Sequence, residues 1–168
     1  MKQLLRVSFV SVCIAGALMG SNFQNGLKNL DGVKDNKAYD TFFRLAKSGD
    51  AESQTLLGEM YLDGIGTKVD VKKAFFWISK AANAGDTDAL YLLGFMYENG
   101  IKVAPNLERA VSLYTKAAVN GDVLSQYNLA MIYKEGKGGI AKNMDKAYKW
   151  LAKVQYIQKD LEYQARAD

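Results

Sequence analysis

The sequence predicts an all-α fold, an α/α superhelix (solenoid) of about three helix-pair repeats with a preceding half repeat and a C-terminal capping helix. Three observations carry that prediction. A Gly-Asp pair recurs at Gly49-Asp50, Gly85-Asp86 and Gly121-Asp122, a period of 36 residues. A second block follows each pair in register: Leu57-Gly58-Glu59-Met60-Tyr61, Leu93-Gly94-Phe95-Met96-Tyr97 and Leu129-Ala130-Met131-Ile132-Tyr133. A third block sets a basic residue before an alanine, at Lys73-Ala74, Arg109-Ala110 and Lys146-Ala147, the last displaced by one inserted residue. A fixed period in the thirties with helical patterning inside it marks stacked helix pairs.

Taken in order, residues 1–20 read as an export signal. Lys2 and Arg6 form a positive start, Val7 to Leu18 is apolar, and Ala15-Gly16-Ala17 has the small-x-small shape of a cleavage site. The apolar run is shorter than the roughly 20 residues of a membrane span. Cys13, the single cysteine, follows a bulky valine at Val12, which argues against lipidation. Cleavage would leave a chain without cysteine, so no disulfide framework is expected. It would also leave 20 basic residues against 18 acidic ones, which gives no electrostatic reason to propose nucleic acid. Residues 21–34 are rich in Asn and Gly and read as a linker. The repeat domain is expected over 35–168.

Within that domain the half repeat is a second-type helix headed by Ala38, 36 residues before Ala74, running over Tyr39 to Lys47. The repeats follow at about 50–85, 86–121 and 122–158. Asp50, Asp86 and Asp122 are expected N-caps, because a carboxylate there accepts from the free N–H groups of the first turn. The glycine before each can adopt the left-handed conformation that ends the previous helix. First helices stop at Gly64, Gly100 and Gly136, and second helices start after Asp70, Asn106 and Asn143. Gly58 and Gly94 inside helices predict close backbone approach, with Trp77, Leu113 and Trp150 expected to supply the facing bulk. The last segment, from Val154, either continues the second helix or starts a shortened one. Either would give the terminal cap a solenoid requires.

These residues resemble the Sel-one-like repeat (SLR) family, relatives of the tetratricopeptide repeat with a slightly longer loop. The resemblance rests on the Gly-Asp start, the small residue at Ser53, Ala89 and Ser125, the Leu-Gly-x-Met-Tyr block and the capped Lys-Ala-x-x-Trp, and it spans about residues 38–157. It implies a superhelix that binds other proteins, often in bacterial envelope or secretion contexts, with the first helices lining a concave groove. The chain departs from the family in lacking the cysteines of disulfide-bridged members. It also carries Ala130 for glycine and lengthens the loop at Gly136 to Ile140, which is expected to be mobile.

Enzymatic chemistry has little to stand on. The chain has no histidine, so the usual general base near neutral pH is missing. Its cysteine lies in the signal, which removes thiol nucleophiles and common zinc sets. No catalytic residue, cofactor or metal is expected. The expected partner is a protein, bound on the concave face at Glu52, Thr55 and Glu59 in repeat one, Asp88, Tyr91, Phe95 and Glu98 in repeat two, and Tyr127 and Met131 in repeat three, with Leu124 and Lys134 flanking them. The aromatics are the kind of side chain that dominates interfaces, and the acidic neighbours would set orientation. Packing of this face on adjacent repeats is the alternative.

The signal places the protein in the periplasm or outside the cell, without a membrane span after cleavage and monomeric when free. Some family members neutralise delivered phospholipase effectors, so the resemblance extends to an immunity protein capping a toxin. An envelope or secretion assembly adaptor, or a secreted enzyme acting on cell-wall or host material, is the alternative function.

Overall fold

The computed structural model describes residues 37–164, with side chains described to residue 154. The expected signal, 1–20, and linker, 21–34, lie outside the described residues. Among the described residues there are seven helices and no strand: α1 (Lys37–Ser48), α2 (Ala51–Asp63), α3 (Val71–Asn83), α4 (Thr87–Asn99), α5 (Leu107–Val119), α6 (Val123–Glu135) and α7 (Met144–Gln164). The chain divides into two compact units, the first ending at Ala84 and the second beginning at Gly85. Helix α7 runs unbroken from Met144 to Gln164, so of the two endings open to the sequence, the continuous helix forms.

The helix boundaries follow from side chains that satisfy otherwise orphaned backbone groups. Asp50, Asp86 and Asp122 each accept the N–H three residues on, at 2.7, 2.8 and 2.6 Å. Asp70, Asn106 and Asn143 do the same for Lys73, Arg109 and Lys146. At the other end Gly64, Gly100 and Gly136 take left-handed backbone conformations (φ 73, 68 and 72°) that close the first helices.

In the first unit α2 packs against both α1 and α3. Phe42 and Met60 form one buried pair, with Tyr39, Leu56 and Ile65 against it. Gly58 is where α2 meets α3: a Cβ there would collide with Ile78 Cγ1. The second unit repeats the arrangement, with α4 on α5, α5 on α6 and α6 on α7. A Cβ on Gly94 would stand 2.8 Å from the ring of Tyr114. The bulk facing each glycine is therefore Ile78 and Tyr114, not Trp77 and Leu113 as the spacing suggests. They lie four residues after Ala74 and Ala110, one step round the helix from the expected position. Trp77 is buried as well, whereas Leu113 and Trp150 are half-buried.

Two further contacts repeat in every helix pair. The N–H of Asp70, Asn106 and Asn143 donates at 2.8 Å to the carbonyl of Tyr61, Tyr97 and Tyr133, which staples the start of each second helix to the end of its first. The basic residue three positions later, Lys73, Arg109 or Lys146, then lies over that same tyrosine ring at 5.1, 4.9 and 4.9 Å. The recurrent basic-Ala block thus has a structural reason: the cation covers an aromatic face the helices leave open.

Candidate functional site

The first-type helices are the elements on which the sequence places a partner. In the first unit α2 has helices on two sides, so its buried residues run most of the way round it. Thr55 and Glu59 are only 4% and 7% exposed, and the Thr55 hydroxyl donates back to the Ala51 carbonyl at 3.1 Å. Glu52 is half-buried. Glu52, Thr55 and Glu59 all have partners within the chain. Of the three, Thr55 and Glu59 offer almost no surface.

The second unit divides its predicted residues between packing and exposure. Tyr91 is half-buried, lies tilted against Tyr114 with ring centroids 5.9 Å apart and packs on the core that includes Ala110, Tyr114, Leu129 and Ile132. Burial, then the charges of Asp122 and Glu98, push its hydroxyl pKa up. Phe95 and Met131 are half-buried. Glu98, with its side chain 18% exposed, accepts the Tyr114 hydroxyl at 2.9 Å and the Lys137 ammonium at 3.2 Å. Burial and the adjacent carboxylate hold the Tyr114 phenol far above its ordinary range, so it is a donor to Glu98 at any physiological pH. Glu98 is thus engaged in holding the fold.

Lys137 comes from the lengthened loop, which the sequence suggests is mobile. The structure ties that loop down. Lys137 reaches Glu98, Gly138 sits so close to Leu107 that a Cβ would stand 2.8 Å from it, and Ile140 packs against the core. The inserted residue is accommodated by glycines with positive φ at 136, 138 and 139. The run of lysine and glycine looked flexible; the partner that fixes it lies 39 residues away, beyond the reach of local pattern.

Of the predicted positions in this unit, Asp88, Leu124, Tyr127 and Lys134 are exposed. On α6 Leu124 is 40% and Tyr127 50% exposed. On α4 Asp88 is exposed, and it is grouped electrostatically with Asp86 and Asp122. Partial desolvation, then the two like charges, raises its carboxyl pKa. No ammonium or guanidinium lies within ion-pair distance of Asp88 among the described residues. The exposed predicted positions of this unit are thus apolar, acidic and, at Lys134, basic. Among the described residues no three His, Cys, Asp or Glu side chains converge as a metal set, and no helix is long and apolar enough to cross a membrane.

Comparison with known proteins places these helix pairs. The family model of the Sel1 repeat matches residues 51–86, 87–122 and 123–153. Among solved structures, the chain is similar to a protective antigen present in uropathogenic Escherichia coli strains and displaying an SLR fold. The identity is 31% and the TM-score 0.73, over 79% of this chain and 29% of that one. It is also similar to a Sel1 repeat protein from Oxalobacter formigenes, with 32% identity and a TM-score of 0.67 over 72% of this chain and 35% of that one. The chain spans about a third of the length of these two proteins. No curated protein matches it.

Proposed function

The chain belongs to the Sel1 repeat family, an all-α superhelical repeat family of protein-interaction modules, and from that premise we propose that it is a non-catalytic binding protein of the bacterial periplasm or envelope. Its partner is a protein, held on the first-helix face of the second unit. The observation that carries this reading is the exposure of Leu124 and Tyr127 beside residues of the same helix that are fully buried. An exposed tyrosine with an apolar neighbour has the composition of an interface anchor.

The periplasmic assignment rests on the n-region, apolar run and cleavage-like tripeptide of residues 1–20. A sharper form of the reading is an immunity protein that caps a delivered toxin such as a phospholipase effector. It rests on the family resemblance.

The test is a pull-down from cell envelopes with the tagged protein, beside a Leu124→Ala/Tyr127→Ala variant. Both positions are solvent-exposed, so the variant is expected to keep its helical content and melt within about 2 °C of wild type. One protein retained in stoichiometric amount by wild type and lost by the variant is the expected result. Equal recovery in both lanes would move the site off α6. Recovery of nothing by either would end the protein-binding reading.

A further inference from the structure

The second-type helices of the first unit carry a surface that the protein-partner reading does not use. We infer that the seam between α1 and α3 docks on an anionic lipid surface, its basic side chains meeting headgroup phosphates and Phe76 lying at the boundary between headgroups and acyl chains. The seam shares no residue with the face assigned to a protein partner, so the two proposals stand or fall separately.

Geometry, exposure and charge point to it separately. Phe43 of α1 and Trp77 of α3 meet edge to face across the seam, with ring centroids 6.3 Å apart. A lysine stands over each ring: Lys47 Nζ lies 5.6 Å from the Phe43 centroid and Lys80 Nζ 5.3 Å from that of Trp77. Two exposed ammonium groups are thereby held on neighbouring rings, and Arg44, one turn before Lys47, adds a third exposed cation. Among the described residues none of the three has a carboxylate within ion-pair distance. Phe76 adjoins Trp77 at 5.1 Å and is 57% exposed. Charge is also segregated within the unit. Helix α1 carries Lys37, Arg44 and Lys47 against Asp40, and α3 carries Lys72, Lys73 and Lys80 with no acid, whereas α2 carries Glu52, Glu59 and Asp63 with no base. The second unit repeats the pairing on α7, where Lys153 Nζ stands 4.6 Å over Trp150 and Tyr148 is 62% exposed.

The occupant follows from complementarity. Packing accounts for a lysine on each ring, since the cation covers an aromatic face. It does not account for Phe76, which has no polar side-chain atom and stands exposed beside those cations. Basic side chains interleaved with such a ring have the composition of an interfacial membrane contact: the cations meet phosphates while the ring leaves water. An apolar protein surface would cover Phe76 but strip water from Lys47 and Lys80 without replacing it. Nucleic acid also offers phosphates. Lipid is preferred because the export pattern of residues 1–20 carries the chain across a bilayer, and the choice rests on that reading. Because the cations are exposed, their attraction acts over a Debye length of about 8 Å at physiological salt and falls as salt rises.

The test is flotation of the full chain with vesicles of phosphatidylcholine alone and of phosphatidylcholine mixed with phosphatidylglycerol in equal parts. Binding to the anionic vesicles is expected to exceed binding to the neutral ones by about 10-fold or more, and to fall as NaCl rises from roughly 0.05 to 0.5 M. Lys47→Gln/Lys80→Gln should weaken it about 10-fold and Phe76→Ser about 5-fold, whereas Lys47→Arg/Lys80→Arg should bind like wild type. Every variant carries the same residues 1–20, so these differences report the seam and not the apolar run at the start of the chain. The substituted side chains are exposed, and each variant should keep wild-type helical content by circular dichroism. That separates lost binding from lost folding. Equal binding to neutral and anionic vesicles would overturn the inference, as would a Lys47→Gln/Lys80→Gln protein that binds like wild type. A fluorescent single-stranded oligonucleotide bound more tightly than the anionic vesicles, and released by the same Gln pair, would assign the seam to nucleic acid and overturn it too.

Discussion

Truncating Tyr114 to alanine is expected to cost about 3–5 kcal/mol, the range for removing a large aromatic from a packed core. Its side chain is 0% exposed and stands where α4 and α5 come closest, against Gly94. The ring also lies tilted against Tyr91 and its hydroxyl donates to Glu98. Alanine therefore opens a cavity and leaves Glu98, half-buried, with Lys137 alone. In a chain of this length each kcal/mol is worth about 2–4 °C in Tm, so thermal unfolding followed by circular dichroism should show a fall of roughly 6–20 °C. Tyr114→Phe separates the two contributions: it keeps the ring and removes only the hydroxyl, at about 1 kcal/mol. A Tyr114→Ala protein melting within a degree of wild type would mean that α4 and α5 are not held together here.

Gly94→Val is expected to be the next most damaging change, at about 2–3 kcal/mol. Valine is a slightly better helix former than glycine, which returns only a few tenths of a kcal/mol. Against that, even the first added carbon would stand 2.8 Å from two atoms of the Tyr114 ring and 3.4 Å from the Ala110 carbonyl. The ring has little freedom to move aside, since Glu98 holds its hydroxyl and Lys137 holds Glu98. The same denaturation experiment checks it. A neutral or stabilising result would mean that helix propensity outweighs close approach at this position.

These two positions also show what was legible in the sequence. Glycine recurring inside a helix, against its propensity cost, correctly marked where backbones meet. The caps were equally legible, because Asp or Asn after a glycine or loop and before a helical run is a local signal with a local cause. The partner of the glycine was misplaced by one residue. The spacing points to Trp77 and Leu113, but the helical phase of α3 and α5 directs Ile78 and Tyr114 at the glycines.

The candidate site was legible only in part. Register alone placed Thr55 and Glu59 outward, yet α2 has a helix on either side and both are buried. Glu98 was read as a surface carboxylate, and its bonds to Tyr114 and Lys137 depend on residues 16 and 39 positions away. Tyr91 falls to the packing alternative, because it lies on Tyr114. Tyr127 and Asp88 are exposed where the sequence put them, and Leu124 gains weight as their neighbour. Lys73, Arg109 and Lys146 had a detectable signal, recurrence of a positive charge in register, whose meaning emerged only with the tyrosines beneath them.

A protein partner held on the first-helix face of the second unit would cover α4 and α6. Amide hydrogen exchange on the full chain, alone and with the partner recovered from envelopes, tests it most directly. The expected result is slowed exchange concentrated in α4 and α6, strongest toward the N-terminal halves that carry Asp88, Leu124 and Tyr127. Slowing confined to the second-type helices α3 and α5, with α4 and α6 unchanged, would contradict it.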